Sequence, residues 1–372
     1  MKTIVVTGGA GFIGRNLLAH LEADTELRLL SITRQDSPEA VRHKLGEADL
    51  VYHLAGSNRP ERVEEFYEVN EGFTQEVVHQ LVEQRRTPPI VLASSTQVER
   101  DNEYGRSKKA AEEVLERYAH EYGGAAVIYR LTNVFGKWSR PNYNSVVATF
   151  CYNVTRGLLL EIHDPGARLR LVHVDDLVEC FRSHLRGQTL RGVHWAKAEP
   201  VFEVTLQQLA DQLRSFHASR QTLRLPDLAD RFTRLLHSTY LSYLPEDDFA
   251  YPLQERKDDR GKLAELLKSD HLGQIFVSTT RPGVIRGNHY HHSKIEKFCV
   301  VRGEAVIRFR KLGANRILTY PVSGERLEVV DIPPGYTHSI ENIGCEEIVV
   351  LFWANEIFDP DRSDTQHLSV EP

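Results

Sequence analysis

The chain contains few cysteines, and no spacing pattern joins them. Four are present among 372 residues, widely scattered and without a CxxC spacing: Cys151, Cys180, Cys299 and Cys345. Cysteines of this kind are at least as often small buried hydrophobes kept reduced as they are reactive groups. The sequence therefore predicts neither a disulfide framework nor a cysteine-ligated metal.

Long apolar runs and an excess of positive charge are also absent. The longest apolar run, from Ile348 to Ala354, is far shorter than the roughly 20 residues that span a bilayer. Met1 to Gly8 has the pattern of a first β-strand, and it does not resemble a charged and apolar leader. The net charge of −6 argues against nucleic acid or an anionic membrane as the main partner. We therefore expect a cytoplasmic protein whose partner is a small molecule, which needs only a local positive pocket if it is anionic.

The length and composition are those of a soluble protein with two domains. An apolar content of 41% and a charged content of 26% are ordinary for globular chains, and no repeat or low-complexity segment is present. The composition changes at Leu244-Pro-Glu-Asp-Asp. We expect a first domain over residues 1–245 and a second over residues 246–372.

The N-terminal residues contain a glycine-rich turn between a strand and a helix. Thr3–Thr7 is a β-branched run, Gly8-Gly-Ala-Gly-Phe-Ile-Gly14 follows, and a helical pattern continues through Leu21. Glycines in this place allow a tight turn and bring a pyrophosphate against the helix N-terminus. An isolated glycine turn would need no ligand, but the flanking strand and helix favour dinucleotide binding. A P-loop is excluded because Gly14 is followed by Arg15-Asn16 and not by Lys-Ser/Thr.

The second strand indicates which dinucleotide binds. It covers Arg28–Ile32 and ends in Thr33-Arg34. A carboxylate at this place would hold the ribose 2′-hydroxyl of NAD, whereas a cation and a hydroxyl suit the 2′-phosphate of NADP. Arg15 would add to the same pocket. We therefore expect NADPH as the cofactor.

Strands and helices then alternate through the first domain. The pattern predicts strands at Leu50–Leu54, Ile90–Ala93 and Ala126–Leu131, with helices over 63–84 and 104–121 between them. Alternation of this kind predicts an α/β fold with a doubly wound parallel sheet.

A catalytic group follows the fourth predicted strand. Tyr104 and Lys108, at i and i+4, share one helix face, and Ser95 lies at the end of the preceding strand. An ammonium lowers the pKa of a neighbouring phenol, so Tyr104 could pass a proton to a carbonyl oxygen to which Ser95 hydrogen-bonds. A YxxxK alone usually marks a solvated helix face. After a dinucleotide-binding turn it favours carbonyl reduction or oxidation.

Together these motifs resemble the extended short-chain dehydrogenase/reductases over roughly the first 245 residues. The resemblance rests on Thr7 to Gly14, Tyr52-His-Leu-Ala-Gly56, Val69-Asn-Glu-Gly72, the Tyr104/Lys108 pair and Arg130-Leu-Thr-Asn-Val-Phe-Gly136. It implies that Ser95, not Ser94, is the catalytic serine, and that Asn133 and Arg168 face a nucleotide diphosphate. The cofactor-binding residues implied are Gly8, Gly11, Phe12, Ile13, Gly14, Arg15, Thr33, Arg34, Leu54, Ala55, Gly56, Asn70 and Lys108.

Two departures from that family pattern affect the expected reaction. The interval between Ser95 and Tyr104 is short, although nine residues can span up to ~30 Å when extended. The family's sugar 4,6-dehydratases follow their Ser/Thr with an Asp-Glu pair, where this chain has Thr96-Gln97. Without that acid and base, dehydration is disfavoured and carbonyl reduction is preferred.

The second half changes to short alternating strands with turns between them. Strands are predicted at Gly273–Ser278, Glu296–Val301, Glu304–Phe309, Arg316–Tyr320, Glu328–Ile332 and Glu347–Trp353, a spacing typical of an antiparallel jelly roll. His289 and His291, two residues apart, would face one side of a strand. With Glu296 and His338 they offer nitrogen and oxygen ligands for a divalent metal, and zinc is the first candidate.

The spacing of these residues resembles both cupin motifs. The first motif runs from Gly283 to Gly303, and the second contains Pro333, Gly335 and His338, with Leu327 in place of its leading glycine. A lone histidine is more often a core or surface residue than a ligand, but four ligand-type residues at this spacing favour a metal-binding cupin.

A reductase domain followed by a cupin resembles the CapF-type capsular polysaccharide biosynthesis enzymes over the whole chain. That resemblance implies a bifunctional enzyme acting on a UDP-linked 4-keto-6-deoxy-N-acetylhexosamine. The cupin would epimerise C3, and the first domain would reduce the C4 ketone with NADPH. The product would be UDP-2-acetamido-2,6-dideoxy-L-talose, a precursor of N-acetyl-L-fucosamine in capsule or O-antigen. A homodimer or a higher homo-oligomer is expected, since cupins commonly pair through their sheets.

Two alternatives stay open at the level of sequence. In one, the cupin is only a metal-stabilised module for dimerisation or ligand binding. In the other, the chain binds NADPH and a nucleotide sugar as a sensor, without turnover.

Overall fold

The computed structural model describes residues 1–185 and 190–371. The chain divides into two compact units, Met1–Arg214 with Leu235–Pro245, and Ser215–Arg234 with Glu246–Pro372. Each unit has its own buried apolar core. Within the described ranges, no helix combines the length and apolar character needed to cross a bilayer.

The part of the chain before residue 246 alternates strands and helices. The strands are β1 (Lys2–Thr7), β2 (Leu27–Ile32), β3 (Leu50–His53), β4 (Ile90–Ser95), β5 (Ala125–Leu131), β6 (Asn133–Phe135), β7 (Arg168–His173), β8 (Gly192–Ala196) and β9 (Val201–Thr205). The helices are α1 (Phe12–Leu21), α2 (Pro38–Gly46), α3 (Glu64–Phe66), α4 (Phe73–Glu83), α5 (Glu103–Glu121), α6 (Val146–Val154), α7 (Val174–Arg182), α8 (Leu206–Thr222) and α9 (Arg231–Leu241).

Six of these strands form a parallel sheet in the order β2-β1-β3-β4-β5-β8. Apolar clusters lie on its two faces, and helices cover both. The predicted doubly wound α/β fold is therefore confirmed. The strand order reverses between β1 and β3, and in such sheets ligands bind outside the carboxyl ends of the strands at that point. A smaller sheet, β6-β7-β9, lies beside it in the first unit.

The helix expected over residues 63–84 is not continuous. It consists of α3, a π-helical turn over Tyr67–Gly72, and α4. The π turn contains the buried Asn70, whose side chain bonds Ser57 and Ser107. Turns of this type usually mark a functional place in a helix, because they redirect a side chain that regular winding would not present. The predicted helix over 104–121 is confirmed as α5, with Asn102 as its N-cap.

The second unit is built from antiparallel strands. They are β10 (Glu255–Asp258), β11 (Gly261–Ser269), β12 (Gly273–Thr280), β13 (Ile285–Tyr290), β14 (Glu296–Arg302), β15 (Glu304–Lys311), β16 (Ile317–Ser323), β17 (Val329–Ile332), β18 (Tyr336–Asn342), β19 (Ile348–Ala354) and β20 (Gln366–His367). Two sheets form, β10-β11-β12-β19-β14-β17 and β16-β15-β18-β13-β20. An apolar core drawn from strands of both sheets supports the predicted jelly roll.

Candidate functional site

A cavity of about 960 Å³ opens at the carboxyl ends of β1, β3 and β4 in the first unit. Most of the residues predicted from sequence for this domain line it: Gly8, Gly11, Phe12, Ile13, Gly14, Arg15, Leu54, Gly56, Asn70, Ser95, Tyr104, Lys108, Asn133 and Arg168. Thr33, Arg34 and Ala55 are not among the lining residues. The cavity thus brings together the glycine turn, the Ser-Tyr-Lys group and the two residues expected to face a nucleotide diphosphate.

The glycine turn leaves room that any side chain would fill. Gly8 has a φ of +69°, and a Cβ there would lie 2.7 Å from the backbone nitrogen of Ala55. A Cβ on Gly14 would lie 2.3 Å from the carbonyl oxygen of Gly8. Gly11 begins α1 without a side-chain cap, so the first amide groups of this helix stay open toward a ligand. These features fit a dinucleotide pyrophosphate.

A buried histidine organises the loop after β3. The Thr74 hydroxyl donates to the carbonyl of Asn70, so the neighbouring His53 Nε2, 2.9 Å away, must be the donor to Thr74. Nδ1 of His53 then accepts from the Thr7 hydroxyl at 2.8 Å. Burial, followed by the charge of Lys108, lowers the pKa of His53 to about 3, which keeps the ring neutral.

The same Thr7 oxygen also accepts the amide groups of Leu54 and Ala55, each at 3.2 Å. The network Thr7–His53–Thr74 therefore holds the loop that forms one wall of the cavity. Sequence reasoning did not predict it, although His53 stands inside the motif that was quoted. Asn70 strengthens the same wall, since it accepts from the Ser57 amide at 2.9 Å and donates to the Ser57 carbonyl at 3.0 Å.

Ser95, Tyr104 and Lys108 converge on the cavity. A 3₁₀ turn over Thr96–Glu99 connects β4 to α5 and bridges the short interval between Ser95 and Tyr104. Lys108 is buried, and its Nζ donates to the Ala93 carbonyl at 2.7 Å. Burial lowers the pKa of Lys108 to about 8, and the nearby Glu112 opposes that change.

The pKa of Tyr104 does not shift in the direction that the sequence predicted. Burial raises the pKa of Tyr104 above its ordinary value, a hydrogen bond with Ser95 opposes this, and Tyr143 adds to the rise. The local spacing correctly predicted that the residues meet. It could not predict how strongly the phenol is desolvated, and desolvation is the largest cause of its raised pKa. Tyr104 is therefore a neutral phenol at physiological pH, the form that can donate a proton.

Behind this group lies a buried carboxylate that sequence reasoning missed. Glu112 is 2% exposed, one helical turn beyond Lys108. Its two carboxylate oxygens share the single Nε–H of Arg130, at 3.1 and 3.3 Å, and one of them accepts from Arg130 Nη2 at 2.7 Å. The carboxylate also accepts the Ser94 hydroxyl. Arg130 in turn lies over the Trp195 ring, 4.4 Å from its centroid. The network ties α5 to β4 and β5.

The far wall of the cavity carries positive charge. Arg140 and Arg168 line it, and within the described residues neither forms an ion pair with a carboxylate. Arg170 also lines the cavity and pairs with Glu203 at 3.4 Å. Of these three arginines only Arg168 was predicted. Trp138, Arg140 and Tyr143 belong to a segment that the sequence analysis did not connect with binding.

The residues after β2, where the sequence predicts the ribose to bind, carry both signs of charge. Arg34 is exposed, as a 2′-phosphate site requires. The Thr33 backbone amide and hydroxyl, however, both donate to Asp36, at 2.7 and 3.2 Å, and Lys44 pairs with the same carboxylate. The hydrogen-bond donors of Thr33 are therefore taken by Asp36, a carboxylate that the sequence-based prediction did not include.

Four side chains in the second unit form a compact ligand set. One nitrogen or oxygen each from His289, His291, Glu296 and His338 lies within 4.8 Å of all the others. A β-bulge between Gly287 and His289, with Asn288 at a φ of +56°, turns His289 toward the set. His291 lies one residue beyond the end of β13, so the expected alternation along a strand is not what places it.

A distant aspartate holds His291 in position. Its Nδ1 interacts with the Asp364 carbonyl, which leaves Nε2 directed at Glu296 Oε2, 3.3 Å away. The Asp364 carboxylate accepts the amide groups of His292, Ser293 and Lys294 at 2.8 to 3.1 Å. Burial would raise the pKa of Asp364, but these amides lower it well below its ordinary value.

The donor set fits a divalent metal. Neither ring nitrogen of His338 forms a hydrogen bond within the described residues, although the ring is buried and its Nε2 lies 3.5 Å from Glu296 Oε2. Burial, with help from His338 and His291, lowers the pKa of His289 to about 4, so the imidazole is in its neutral, ligating form. Burial alone would raise the pKa of Glu296, but His291, His338 and Lys294 lower it far more, so it is an anion. Three imidazoles and one carboxylate suit zinc and other first-row metals.

Comparison with family models defines the class of protein. Residues 4–189 match the NAD dependent epimerase/dehydratase family, and residues 256–366 match the polysaccharide biosynthesis C-terminal domain. The chain belongs to the first family, with the second domain appended.

Individual relatives narrow the family further. The chain is 42% identical over 367 residues to UDP-2-acetamido-2,6-beta-L-arabino-hexul-4-ose reductase of Pseudomonas aeruginosa, covering 99% of this chain and 98% of that protein. It is 45% identical to the capsular polysaccharide assembling protein CapF of Staphylococcus aureus, covering 99% and 100% of the two chains, with a TM-score of 0.92. A structure of CapF with the inhibitor 3-isopropenyl-tropolone is 41% identical over 99% of this chain and 100% of that chain, with a TM-score of 0.88. The chain is a member of the CapF family.

Proposed function

We propose that the chain is a bifunctional nucleotide-sugar enzyme. The first unit reduces the C4 ketone of a UDP-4-keto-6-deoxy-N-acetylhexosamine with NADPH, and the second epimerises its C3. The product is UDP-2-acetamido-2,6-dideoxy-L-talose, for N-acetyl-L-fucosamine in capsule or O-antigen. The observation that carries the proposal is one cavity containing a dinucleotide cradle, a Ser-Tyr-Lys group and two arginines, Arg140 and Arg168, that form no ion pair within the described residues. The name of the Pseudomonas aeruginosa relative supports the ketone substrate.

The reduction uses Tyr104 as the proton donor. Bound NADPH supplies the hydride to C4. Because burial raises the pKa of Tyr104, its phenol keeps a proton to give to the C4 oxygen as the carbonyl becomes an alcohol. Ser95 orients that oxygen, and Lys108, fixed by the Ala93 carbonyl, holds the nicotinamide ribose. Thr96 and Gln97 line the cavity at the two positions where the family's dehydratases carry an acid and a base, so these two residues favour reduction over dehydration.

Binding of the sugar nucleotide is assigned to the positive wall. Arg140 and Arg168 carry positive charges that a diphosphate would neutralise. Asn133 also lines the cavity, and in the sequence it lies between the Ser-Tyr-Lys group and these arginines. Arginine suits this task because its planar donors match phosphate oxygens. The choice of NADPH over NADH rests on Arg34, and the nearby Asp36 argues for NADH. Measurement of both coenzymes decides between them.

In the second unit we place a divalent metal, zinc first, on His289, His291, Glu296 and His338. When bound there, the ion would polarise the C4 carbonyl and make the neighbouring C3 proton more acidic. The residues of the chain hold the ligands: Asp364 fixes the turn after His291, and Lys294 Nζ contacts Glu296 at 2.9 Å. Tropolone, which is bound as an inhibitor in a CapF structure, carries adjacent oxygens that chelate divalent cations.

Two measurements test the two activities separately. With NADPH and the 4-keto sugar nucleotide, Tyr104→Phe should lose at least about 100-fold in NADPH oxidation while keeping coenzyme binding. Unchanged oxidation, or none in the wild type, would overturn the reductase proposal. Without NADPH, in deuterated water, the wild type should incorporate deuterium at C3, and His289→Ala should lose both metal content and incorporation. Loss of metal with full incorporation would show that the second unit is a binding module only.

A homodimer is proposed through the outer face of the larger sheet of the second unit. Strand register aligns Val277, Leu351, Cys299 and Val329 across four strands, and all four point away from the core. Leu351 and Val329 are 38% and 61% exposed. An apolar strip of this kind is typical of an interaction surface. Leu351→Lys should shift the sedimentation coefficient from that of a dimer to that of a monomer. Ile343→Lys changes an exposed apolar residue outside the strip and should leave the dimer intact. A dimer that persists in Leu351→Lys would rule this surface out.

A further inference from the structure

The loop that follows β6 has an unusual backbone. Within seven residues, three adopt positive φ: Gly136 at +149°, Trp138 at +70° and Asn142 at +55°. For a bulky residue such as Trp138 this conformation is a genuine outlier that persists only when its surroundings impose it. Trp138 also lines the cavity and is 42% exposed. A strained, partly exposed aromatic residue on a cavity wall indicates binding, because packing alone would not require it.

The residues on both sides of Trp138 are held in place. Asn16, a completely buried residue of α1, donates to the Lys137 carbonyl at 3.1 Å and to the Phe12 carbonyl at 2.9 Å. The Tyr243 hydroxyl donates to the Ser139 carbonyl. These contacts fix the loop against the helix that carries the glycine turn. They therefore supply the constraint that keeps Trp138 in its strained conformation.

The ring of Trp138 faces a cation from that same helix. The Arg15 guanidinium carbon lies 5.0 Å from the ring centroid, and Lys137 Nζ lies 5.4 Å from it. The Lys137 charge is paired with Asp175 at 2.7 Å. Arg15 forms no ion pair with any carboxylate in the described residues, so its charge is available to an anionic ligand. Tryptophan is the best aromatic partner for a cation, which orients the guanidinium without neutralising it.

We propose that Trp138 and Arg15 form a clamp for the pyrophosphate of the dinucleotide, and that Arg15 does not read the 2′-phosphate. This rests on the proposed function only in taking the cavity as the dinucleotide site. Arg15 lines the cavity with Trp138 and Arg140, whereas Thr33 and Arg34 do not line it. Arg15 also follows Gly14 in the first turn of α1, beside the uncapped amide groups. The sequence-based expectation that Arg15 joins the ribose pocket is replaced by this assignment.

Coenzyme binding tests the clamp, because NADPH and NADH share the pyrophosphate and differ in the 2′-phosphate. Trp138→Gly and Arg15→Met should each raise the Kd of both coenzymes by about tenfold and by the same factor. Arg34→Met is the control and should weaken NADPH alone. Trp138→Phe keeps an aromatic face and should lie between wild type and Trp138→Gly. Equal Kd values for wild type and Trp138→Gly, or a loss confined to NADPH, would overturn the proposal.

Stability and UDP binding separate the clamp from other roles. Glycine accepts a φ of +70° without strain, so Trp138→Gly should melt at the wild-type temperature or above it. A lower melting temperature with unchanged coenzyme Kd values would assign Trp138 a structural role only. Trp138→Asn, whose side chain also tolerates this φ, repeats both measurements with a second variant. UDP binding should stay unchanged in all variants. If the variants bind UDP more weakly and the coenzymes as tightly as the wild type does, Trp138 and Arg15 bind the sugar nucleotide and the clamp proposal is wrong. A wild type that binds neither coenzyme would disprove the proposed function itself.

Discussion

Replacement of Lys108 by methionine is expected to stabilise the first unit while abolishing its proposed activity. The Lys108 side chain is buried, and its ammonium has the Ala93 carbonyl as its hydrogen-bond acceptor. Burial lowers its pKa from 10.5 to about 8. That difference of about 2.5 corresponds to about 3 kcal/mol of free energy that the folded protein loses by keeping the charged form at neutral pH. Methionine has a similar length and no charge, so it should recover much of this.

The size of the stabilisation depends on pH. In the folded protein Lys108 loses its proton near pH 8, and in the unfolded chain near pH 10.5. Between these values the unfolded chain binds more protons, so the free energy of unfolding of the wild type should rise with pH. Lys108→Met has no such proton to lose. Its advantage over the wild type should therefore be largest at or below pH 7 and should shrink as the pH rises above 8.

Urea unfolding at several pH values between 7 and 9.5 measures this difference. Lys109→Met is the matched control, because Lys109 is the next residue of the same helix and is exposed; it should change the stability by less than about 0.5 kcal/mol. If Lys108→Met is less stable than the wild type at pH 7, the contacts of the ammonium with Ala93 and Glu112 outweigh its desolvation. If the difference between the two proteins is independent of pH, the pKa of Lys108 is not lowered. Either result refutes the reasoning.

Three further predictions concern the buried network and the metal site. Glu112→Gln should lower the free energy of unfolding by about 1–3 kcal/mol, because Arg130 and Ser94 lose their carboxylate partner. Glu113→Gln, at the exposed neighbouring position, should have little effect, and equal stabilities of the two variants in urea would contradict the prediction. Asp364→Ala should weaken zinc binding about 10- to 100-fold, measured in competition with a chromophoric chelator, because the turn after His291 loses its hydrogen-bond acceptor. Asp361→Ala, which changes an exposed aspartate nearby, should leave zinc affinity unchanged, and equal zinc affinities of the two variants would show that Asp364 does not support the site. Added zinc should raise the melting temperature of the chelator-treated wild type but not that of His338→Ala. His367→Ala, which changes an exposed histidine paired with β13, should respond like the wild type, and a rise in the melting temperature of His338→Ala would disprove the ligand set.

Short motifs account for the parts of both sites that sequence reasoning found. Gly8 to Gly14 and the Tyr104/Lys108 pair each act over a few residues, and local geometry alone brings their groups together. The spacing of His289 and His291 also indicated a ligand pair, but a β-bulge and Asp364 place the two rings. The two folds were predictable for a related reason, because the period of the apolar residues changes from alternating strands and helices to strands alone. The ends of elements shifted by a few residues where capping or a bulge decides them.

The parts that were missed depend on contacts between distant residues. Asp364 holds an amide 72 positions away, and Asn16 holds a carbonyl 121 positions away. No periodicity or spacing encodes such pairs, since they exist only once the chain has folded. The direction of the Tyr104 pKa was wrong for the same reason: desolvation depends on everything packed around the phenol. Trp138 gave no signal either, because a positive φ is invisible in the identity of a tryptophan.

The chemistry of the proposed substrate orders the two activities. A proton at C3 is acidic only while C4 is a ketone, because the negative charge left at C3 is shared with the carbonyl oxygen. In the proposed reaction, reduction through Tyr104 removes that carbonyl, and the C3 configuration can then no longer change. Epimerisation must therefore precede hydride transfer, and the reductase cavity must discriminate between C3 epimers that interconvert as long as the ketone persists. That selection falls to the side chains that line the cavity beside the Tyr104 phenol, among them Ser95 and Tyr143.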